Sequence, residues 1–251
     1  MQTVEQYAAS VVEKYRGDTE TGSAAYQAAE EITPLLRQWS GKYLQGITLS
    51  GAYAQNTAVR LSSDVDVLVE LCPVAGKGMR EIFWSLFDCL SQRGLRPHAG
   101  NVTIGVEVRG RHVELIPACR EGKCDILFNK RAEGEVRTEV AKHVHLLANS
   151  GRQQEICALK IWRERHELDF PSLYLALTAL KALEAERFGQ LADNVWTALR
   201  YMAHRFEKLA VVDPANEENV VSDDLSSEGK AAIARAAREA LYENEWSKLI
   251  W

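Results

Sequence analysis

The sequence predicts an α+β fold: a small mixed β-sheet domain followed by, and packed against, a C-terminal helical domain. Three observations lead there. Between residues 44 and 117, short apolar runs alternate with turns and a single amphipathic helix pattern. From Thr138 onward, nearly every segment repeats its apolar residues at spacings of three and four, the period of a helix face. Between these regions, Ser150-Gly151 punctuates the chain at about the point where the period changes. The division is therefore expected at 1–149, a sheet domain with N-terminal helices, and 150–251, a helical domain, with the binding cleft where the two meet.

Taken in order, Val4 to Arg16 carries Tyr7, Ala8, Val11, Val12 and Tyr15 at helical spacing, and the run Gly17 to Ser23 ends it. Ala24 to Trp39 reads as a second helix with Ile32, Leu35, Leu36 and Trp39 on one face, and Pro34 is expected to kink or break it. Leu44 to Leu49 is a short strand, Thr57 to Leu61 a turn or loop, and Val65 to Leu71 a second strand stopped by Pro73. Arg80 to Gln92 turns Ile82, Phe83, Leu86, Phe87 and Leu90 inward as a helix. Thr103–Val108 and His112–Pro117 form a hairpin around Arg109-Gly110-Arg111. Thr138–Asn149, Gln153–Arg165, Ser172–Phe188, Asn194–Leu209 and Ser227–Leu241 complete the chain as helices.

The chemistry concentrates at two places. A small-residue loop, Ser50-Gly51-Ala52-Tyr53, precedes Asp64-Val65-Asp66-Val67 at the start of the second strand. Alternate residues of a strand share a face, so Asp64 and Asp66 are expected to point together while Val65 and Val67 point into the core. Adjacent carboxylates repel unless a cation lies between them, and hard oxygen donors of this kind suit Mg²⁺, with phosphates completing its shell. Backbone N–H groups of the upstream loop are suited to such phosphates. A third acid, Glu114, stands in Val-Glu-Leu-Ile-Pro, a poor place for a carboxylate unless a cation or basic partner receives it. His112, near Glu114 in sequence, reads either as a group that steers it or, by preference, as a surface histidine, and Glu107 is the next acid in line should Glu114 prove to be solvated. His143 and His145, two apart on a helix, do not share a face and are not expected to pair on a metal.

Bulk properties narrow the partners. The net charge is −5, and neither half is basic: residues 1–150 hold 17 Lys and Arg against 18 Asp and Glu, and residues 151–251 hold 13 against 17. Binding a folded RNA relies on many phosphate contacts, so small nucleotides are favoured over folded RNA, although a short single strand needs fewer charges. No membrane-length apolar run occurs, and Met1-Gln2-Thr3-Val4-Glu5 has neither the basic nor the apolar region of a signal peptide. Five scattered cysteines without zinc spacing read as reduced thiols of a cytoplasmic protein.

The ordered set Gly51-Ala52, Thr57, Asp64-x-Asp66 and Glu114-Leu-Ile-Pro resembles the polymerase-β-type nucleotidyltransferase superfamily. Within it, the sequence is most similar to the branch of archaeal-type CCA-adding enzymes, 2′-5′ oligoadenylate synthases and bacterial cGAS/DncV-like nucleotidyltransferases. Ala158-Leu-Lys160-Ile-Trp162 resembles that branch's Leu-Lys-x-Trp helix, Pro171-Ser172-Leu-Tyr174-Leu its Ser-x-Tyr-Leu helix start, and Asp213-Pro-Ala-Asn216 its Asp-Pro-x-Asn segment. These matches run in family order from about residue 50 to 225. Two positions depart from the pattern: the family serine after Gly51 is Ala52, and the third aspartate is Glu114.

The resemblance implies a palm-like catalytic domain holding two Mg²⁺ (or Mn²⁺) ions on Asp64, Asp66 and Glu114. It also implies an NTP or dNTP held by Ser50, Gly51, Ala52, Thr57, Lys160, Ser172 and Tyr174. The implied reaction transfers a nucleoside monophosphate to a hydroxyl with release of pyrophosphate. The product expected first is a cyclic or linear oligonucleotide signal of bacterial antiphage defence, read by a downstream effector protein. The alternatives are template-independent addition to a nucleic-acid or protein primer, or an inactive nucleotide-binding module.

Overall fold

The computed structural model describes residues 2–62, 64–74, 76–243 and 245–250. In chain order its elements are α1 (Val4–Tyr15), α2 (Ala24–Ser40), β1 (Leu44–Leu49), α3 (Gly51–Ala54), β2 (Val65–Leu71), α4 (Met79–Gln92), β3 (His98–Ala99), β4 (Ile104–Val108) and β5 (Arg111–Glu121). There follow β6 (Cys124–Asn129), β7 (Gly134–Thr138), α5 (Val140–Ala148), α6 (Gln153–Arg165), α7 (Ser172–Ala182), α8 (Leu191–Arg205), β8 (Val212–Asp213), β9 (Asn216–Val220), α9 (Ser227–Ala240) and α10 (Trp246–Leu249). They form two compact units: residues 18–56 with 63–145, and residues 1–17 and 57–62 with 146–251. The boundary expected at 149 falls at 145, and α1, expected with the sheet, belongs to the helical unit. Its buried face, Ala8, Val11 and Val12, joins the core formed by α6 to α9.

In the sheet unit, seven strands form a mixed sheet in the order β1-β2-β5-β4-β3, with β6 on β5 and β7 on β6. Only β2 and β5 run parallel; the other pairs are antiparallel. Strand β5 is eleven residues long and serves both ends of the sheet: Arg111–Leu115 pairs with β4 and Cys119–Glu121 with β6. One face is apolar. Val65, Val67, Val69 and Leu71 of β2 and Val113 and Leu115 of β5 are buried there, and α2 and α4 pack on the strands. Pro34 lies inside α2, which continues unbroken to Ser40. On the opposite face, Leu68, Ala118 and Leu127 form a small apolar floor with Ile116 and Val136.

Strands β6 and β7 are absent from the sequence-based reading. Cys124-Asp125-Ile-Leu-Phe-Asn is short, and Asp125 is a poor strand former. The structure explains its presence: fully buried Asp125 accepts the Val140 amide at 2.9 Å and lies 2.8 Å from Arg120 Nε, while Arg120 also pairs with Glu70. Thr138 pairs with Asp125 in the sheet, so the helix expected from Thr138 begins at Val140.

In the helical unit, α6 is central. Nine consecutive residues, Glu155 to Arg163, are buried, so α6 has no solvated face within that stretch. α7, α8 and α1 pack around it, and α9 packs on α8. Among the described residues, no helix is long and apolar enough to cross a membrane, and all five cysteines are free thiols.

Candidate active site

Strand β2 begins at Val65, with Val65 and Val67 buried, Asp66 half-buried between them and Asp64 exposed just before the strand. The parallel register places Asp66 directly beside Glu114 of β5. Register partners share a face, and the inward positions Val65, Val67, Val113 and Leu115 are on the opposite one. The hairpin β4–β5 extends this face, since Gly105 pairs with Glu114 and Glu107 with His112. Two residues of turn, Arg109 at φ 53° and Gly110 at φ 70°, fix that register.

The result is a crowd of acids around one imidazole. Asp64, His112 and Glu114 each offer a ligand atom within 4.8 Å of the others. His112 Nε2 donates to Glu114 Oε1 at 2.7 Å, and Nδ1 lies 3.3 Å from Glu107 Oε1. Both partners are acceptors. Burial alone pushes the His112 pKa down, but the hydrogen bond to Glu114 and the charges of Asp64 and Glu114 outweigh it and hold the imidazole above its ordinary value. The Asp64 carboxyl is raised, first by loss of hydration and then by Glu114 and Glu107, with His112 opposing. Glu114 Oε2 is buried and has no hydrogen-bond partner.

The loop behaves as its small residues suggest. Strand β1 runs into Ser50, whose amide donates to the Asp66 carbonyl at 2.8 Å, and Gly51 opens the single turn α3 at φ 53°. A Cβ on Gly51 would overlap the Asp66 carboxylate, so a side chain there would displace the acid as well as strain the backbone. The first amides of a helical turn have no partner within it. Gly51 therefore brings the backbone of this turn close to the Asp66 carboxylate. Ser50 itself is buried at the strand end.

The residues present fit divalent ions. The clustered donors are the carboxylates of Asp64 and Glu114 with the His112 imidazole, Asp66 stands beside Glu114 in register, and Glu114 Oε2 is a buried acceptor with no hydrogen-bond partner. Oxygen donors of this kind suit Mg²⁺ and Mn²⁺.

Four residues expected to contact nucleotide have protein partners. Lys160 is 2% exposed, and its ammonium donates to the Thr57 carbonyl at 2.9 Å and to Thr57 Oγ1 at 3.2 Å. It anchors residues 57–62 within the helical unit, and Thr57 is itself fully buried. Ser172 Oγ accepts from Arg163 Nη1 at 3.0 Å. Tyr174 is 0% exposed, stacked on Phe206 at 4.6 Å between ring centroids, and burial pushes its hydroxyl up to about 12. α6 and the start of α7 are interior, and there the polar groups of Lys160, Ser172 and Tyr174 meet protein partners. Asp213 accepts from the Ala215 amide and the Asn219 side chain.

Sequence reasoning preferred a surface role for His112 over one steering Glu114, and Glu107 entered only as a substitute. The signal was present: His112 and Glu114 alternate on one strand face, and a two-residue turn puts Glu107 opposite His112.

No protein-family model matches the chain, and no curated protein matches it by sequence. Solved structures match it over nearly its whole length. A CdnC of E. coli MS115-1, solved with ATP, superposes with a TM-score of 0.75 at 18% identity, covering 99% of this chain and 98% of that one. The CD-NTase CdnG of Bradyrhizobium diazoefficiens, in complex with GTP, gives 0.79 at 12% identity over 94% and 89%. The Cid1 poly(U) polymerase, with Mg and 3′-dATP bound, gives 0.70 at 12% identity over 96% and 95%. The chain has the nucleotidyltransferase fold that its sequence resemblance implied.

Proposed function

We propose that this protein is a divalent-metal-dependent nucleotidyltransferase. The observation that carries this reading is the placement of Asp66 beside Glu114, with Asp64 and the Gly51 turn around them, on a fold shared with nucleotidyltransferases. Asp64, Asp66 and Glu114 hold the ions, two Mg²⁺ or Mn²⁺. When bound, such ions acidify the attacking hydroxyl and neutralise charge growing on the leaving group. The Gly51–Ala52 amides receive triphosphate oxygens. The acceptor hydroxyl forms the new bond to the α-phosphorus, the bond to pyrophosphate breaks, and the hydroxyl proton is lost. The chain's own share is alignment and electrostatics.

For the product, we favour a short oligonucleotide signal, cyclic or linear, of the kind used in bacterial antiphage defence and read by an effector protein. The acidic balance of both halves supports free nucleotides as substrates rather than a folded RNA. Similarity to a poly(U) polymerase supports a second reading, template-independent addition to a primer end.

Incubation with each labelled NTP and dNTP, with Mg²⁺ or Mn²⁺, followed by separation of products, tests both. One discrete short species, formed without added nucleic acid, is expected. A ladder that needs a primer, together with tight, steeply salt-dependent tRNA binding, would replace the signalling reading with the primer one. Absence of any product and of pyrophosphate would leave an inactive nucleotide-binding module.

A further inference from the structure

Glutamate at position 114 has one more rotatable bond than aspartate, so its carboxylate has more positions to sample before an ion arrives. The hairpin supplies the missing constraint. His112 Nε2 holds Glu114 Oε1 at 2.7 Å, and the far ring nitrogen lies 3.3 Å from Glu107 Oε1, a second anchor behind the ring. The ring fits because position 105 is glycine: a Cβ there would stand 2.7 Å from both His112 Cε1 and Nε2, and 2.9 Å from Glu114 Oε1. With Oε1 tied, Oε2 remains buried and without a hydrogen-bond partner.

We infer that His112 is a positioning residue which clamps Glu114 through Oε1, braced by Glu107 and admitted by Gly105, so that Oε2 is the oxygen presented to the divalent ion. The inference rests on reading the acidic site as a metal centre. His112 acts through Glu114 and only because Glu114 is long; an aspartate at 114, shorter and stiffer, would not need the clamp.

The test is a double-mutant cycle read by Mn²⁺ binding to the nucleotide-free protein, followed by electron paramagnetic resonance of free Mn²⁺, with turnover measured alongside. His112→Ala is expected to weaken Mn²⁺ at least fivefold and to lower kcat with little change in KM. In a Glu114→Asp background the same substitution should change Mn²⁺ affinity less than twofold. Gly105→Ala should reproduce the loss by pushing the ring aside. Glu107→Gln, on an exposed side chain, should give a smaller loss of the same sign, and it carries the test if His112→Ala does not fold.

An unchanged Mn²⁺ affinity in His112→Ala overturns the inference, as does an equal loss in both backgrounds, which would make His112 a ligand or a fold element in its own right. A wild type that binds no Mn²⁺ overturns it too. Mn²⁺ binding that depends on His112, with no product from any nucleotide, would refute the transferase reading and leave the clamp standing. Normal product formation without His112 dependence would refute the clamp alone.

Discussion

Helix α6 and the Asp66–Glu114 end of the paired strands β2 and β5 both carry ionisable side chains away from full solvent, and they treat them in opposite ways, whereas farther along the same strands Arg120 pairs with Glu70. On α6, each buried charge meets a complementary group. Glu155 receives Arg152 at 3.1 Å and Asn194 at 2.9 Å, Arg163 donates to the Phe170 carbonyl and Ser172 Oγ, and Lys160 donates twice to Thr57. On the sheet, Asp64 and Glu114 gather around the His112 imidazole with Glu107 on its far side, and Glu114 Oε2 is left without a hydrogen-bond partner. A buried charge that is paired serves architecture, because removing either partner exposes the other to an unsolvated cost. A surplus of one sign does not stabilise a fold. It persists where something outside the chain supplies the opposite charge. The contrast points to the β2–β5 face, rather than α6, as the candidate cation site.

The largest expected effect comes from removing that surplus. Asp64→Asn and Asp66→Asn should each lower turnover by about 10³-fold or more, roughly 4 kcal/mol at the transition state. The metal-free fold should hold. For Asp64 the sign is fixed by its raised pKa. The neutral carboxyl is the form the fold prefers, so its contribution is present below the unfolded value and is lost as pH rises through the folded one. Asp64→Asn should accordingly raise the melting temperature of the metal-free protein at pH 7, with the gain vanishing at acid pH. A variant less stable than wild type at pH 7 would break the contrast at its centre.

Glu114→Gln comes next, with turnover expected to fall by about 10²-fold. Nucleotide binding should survive, since the Gly51 turn is untouched. Wild-type turnover in this variant would return Glu114 to a solvated strand edge and make the search for a third acid begin at Glu107.

Smaller effects are expected in the scaffold, and they should appear in stability rather than chemistry. Lys160→Met removes two hydrogen bonds to buried Thr57, a loss of about 2 kcal/mol, while KM for the nucleotide stays near wild type. Thermal melts beside steady-state kinetics check this; a stable variant with a KM raised tenfold would restore a triphosphate role for Lys160. Tyr174→Phe should be the mildest. Its hydroxyl reaches the Phe206 carbonyl only at 3.5 Å and the ring stack is kept, so stability should change by about 0.5 kcal/mol and kinetics not at all.

Much of this could be read in the chain beforehand. Strand β2 and strand β1 were delimited by their apolar runs and by the small residues and proline that bound them, because alternation and turn chemistry are local properties. Asp64, Asp66 and Gly51 were legible for the same reason: acids at alternate positions on one strand and a glycine before a turn signal themselves. Strands β6 and β7 were not, because Asp125 and Thr138 become strand residues only through Arg120 and the Val140 amide, partners that no local pattern names.

The sequence by itself determined the fold class, the acidic strand and the glycine that lets backbone approach it, since each follows from periodicity or from the conformational limits of single residues. Tertiary structure alone decided the rest. It made α6 an interior helix and gave Lys160, Ser172 and Tyr174 protein partners, because burial on every side depends on how many other helices surround one helix. It also brought His112 onto Glu114, because a hydrogen bond of 2.7 Å requires strand pairing, a fixed turn and an absent Cβ at Gly105 to hold together.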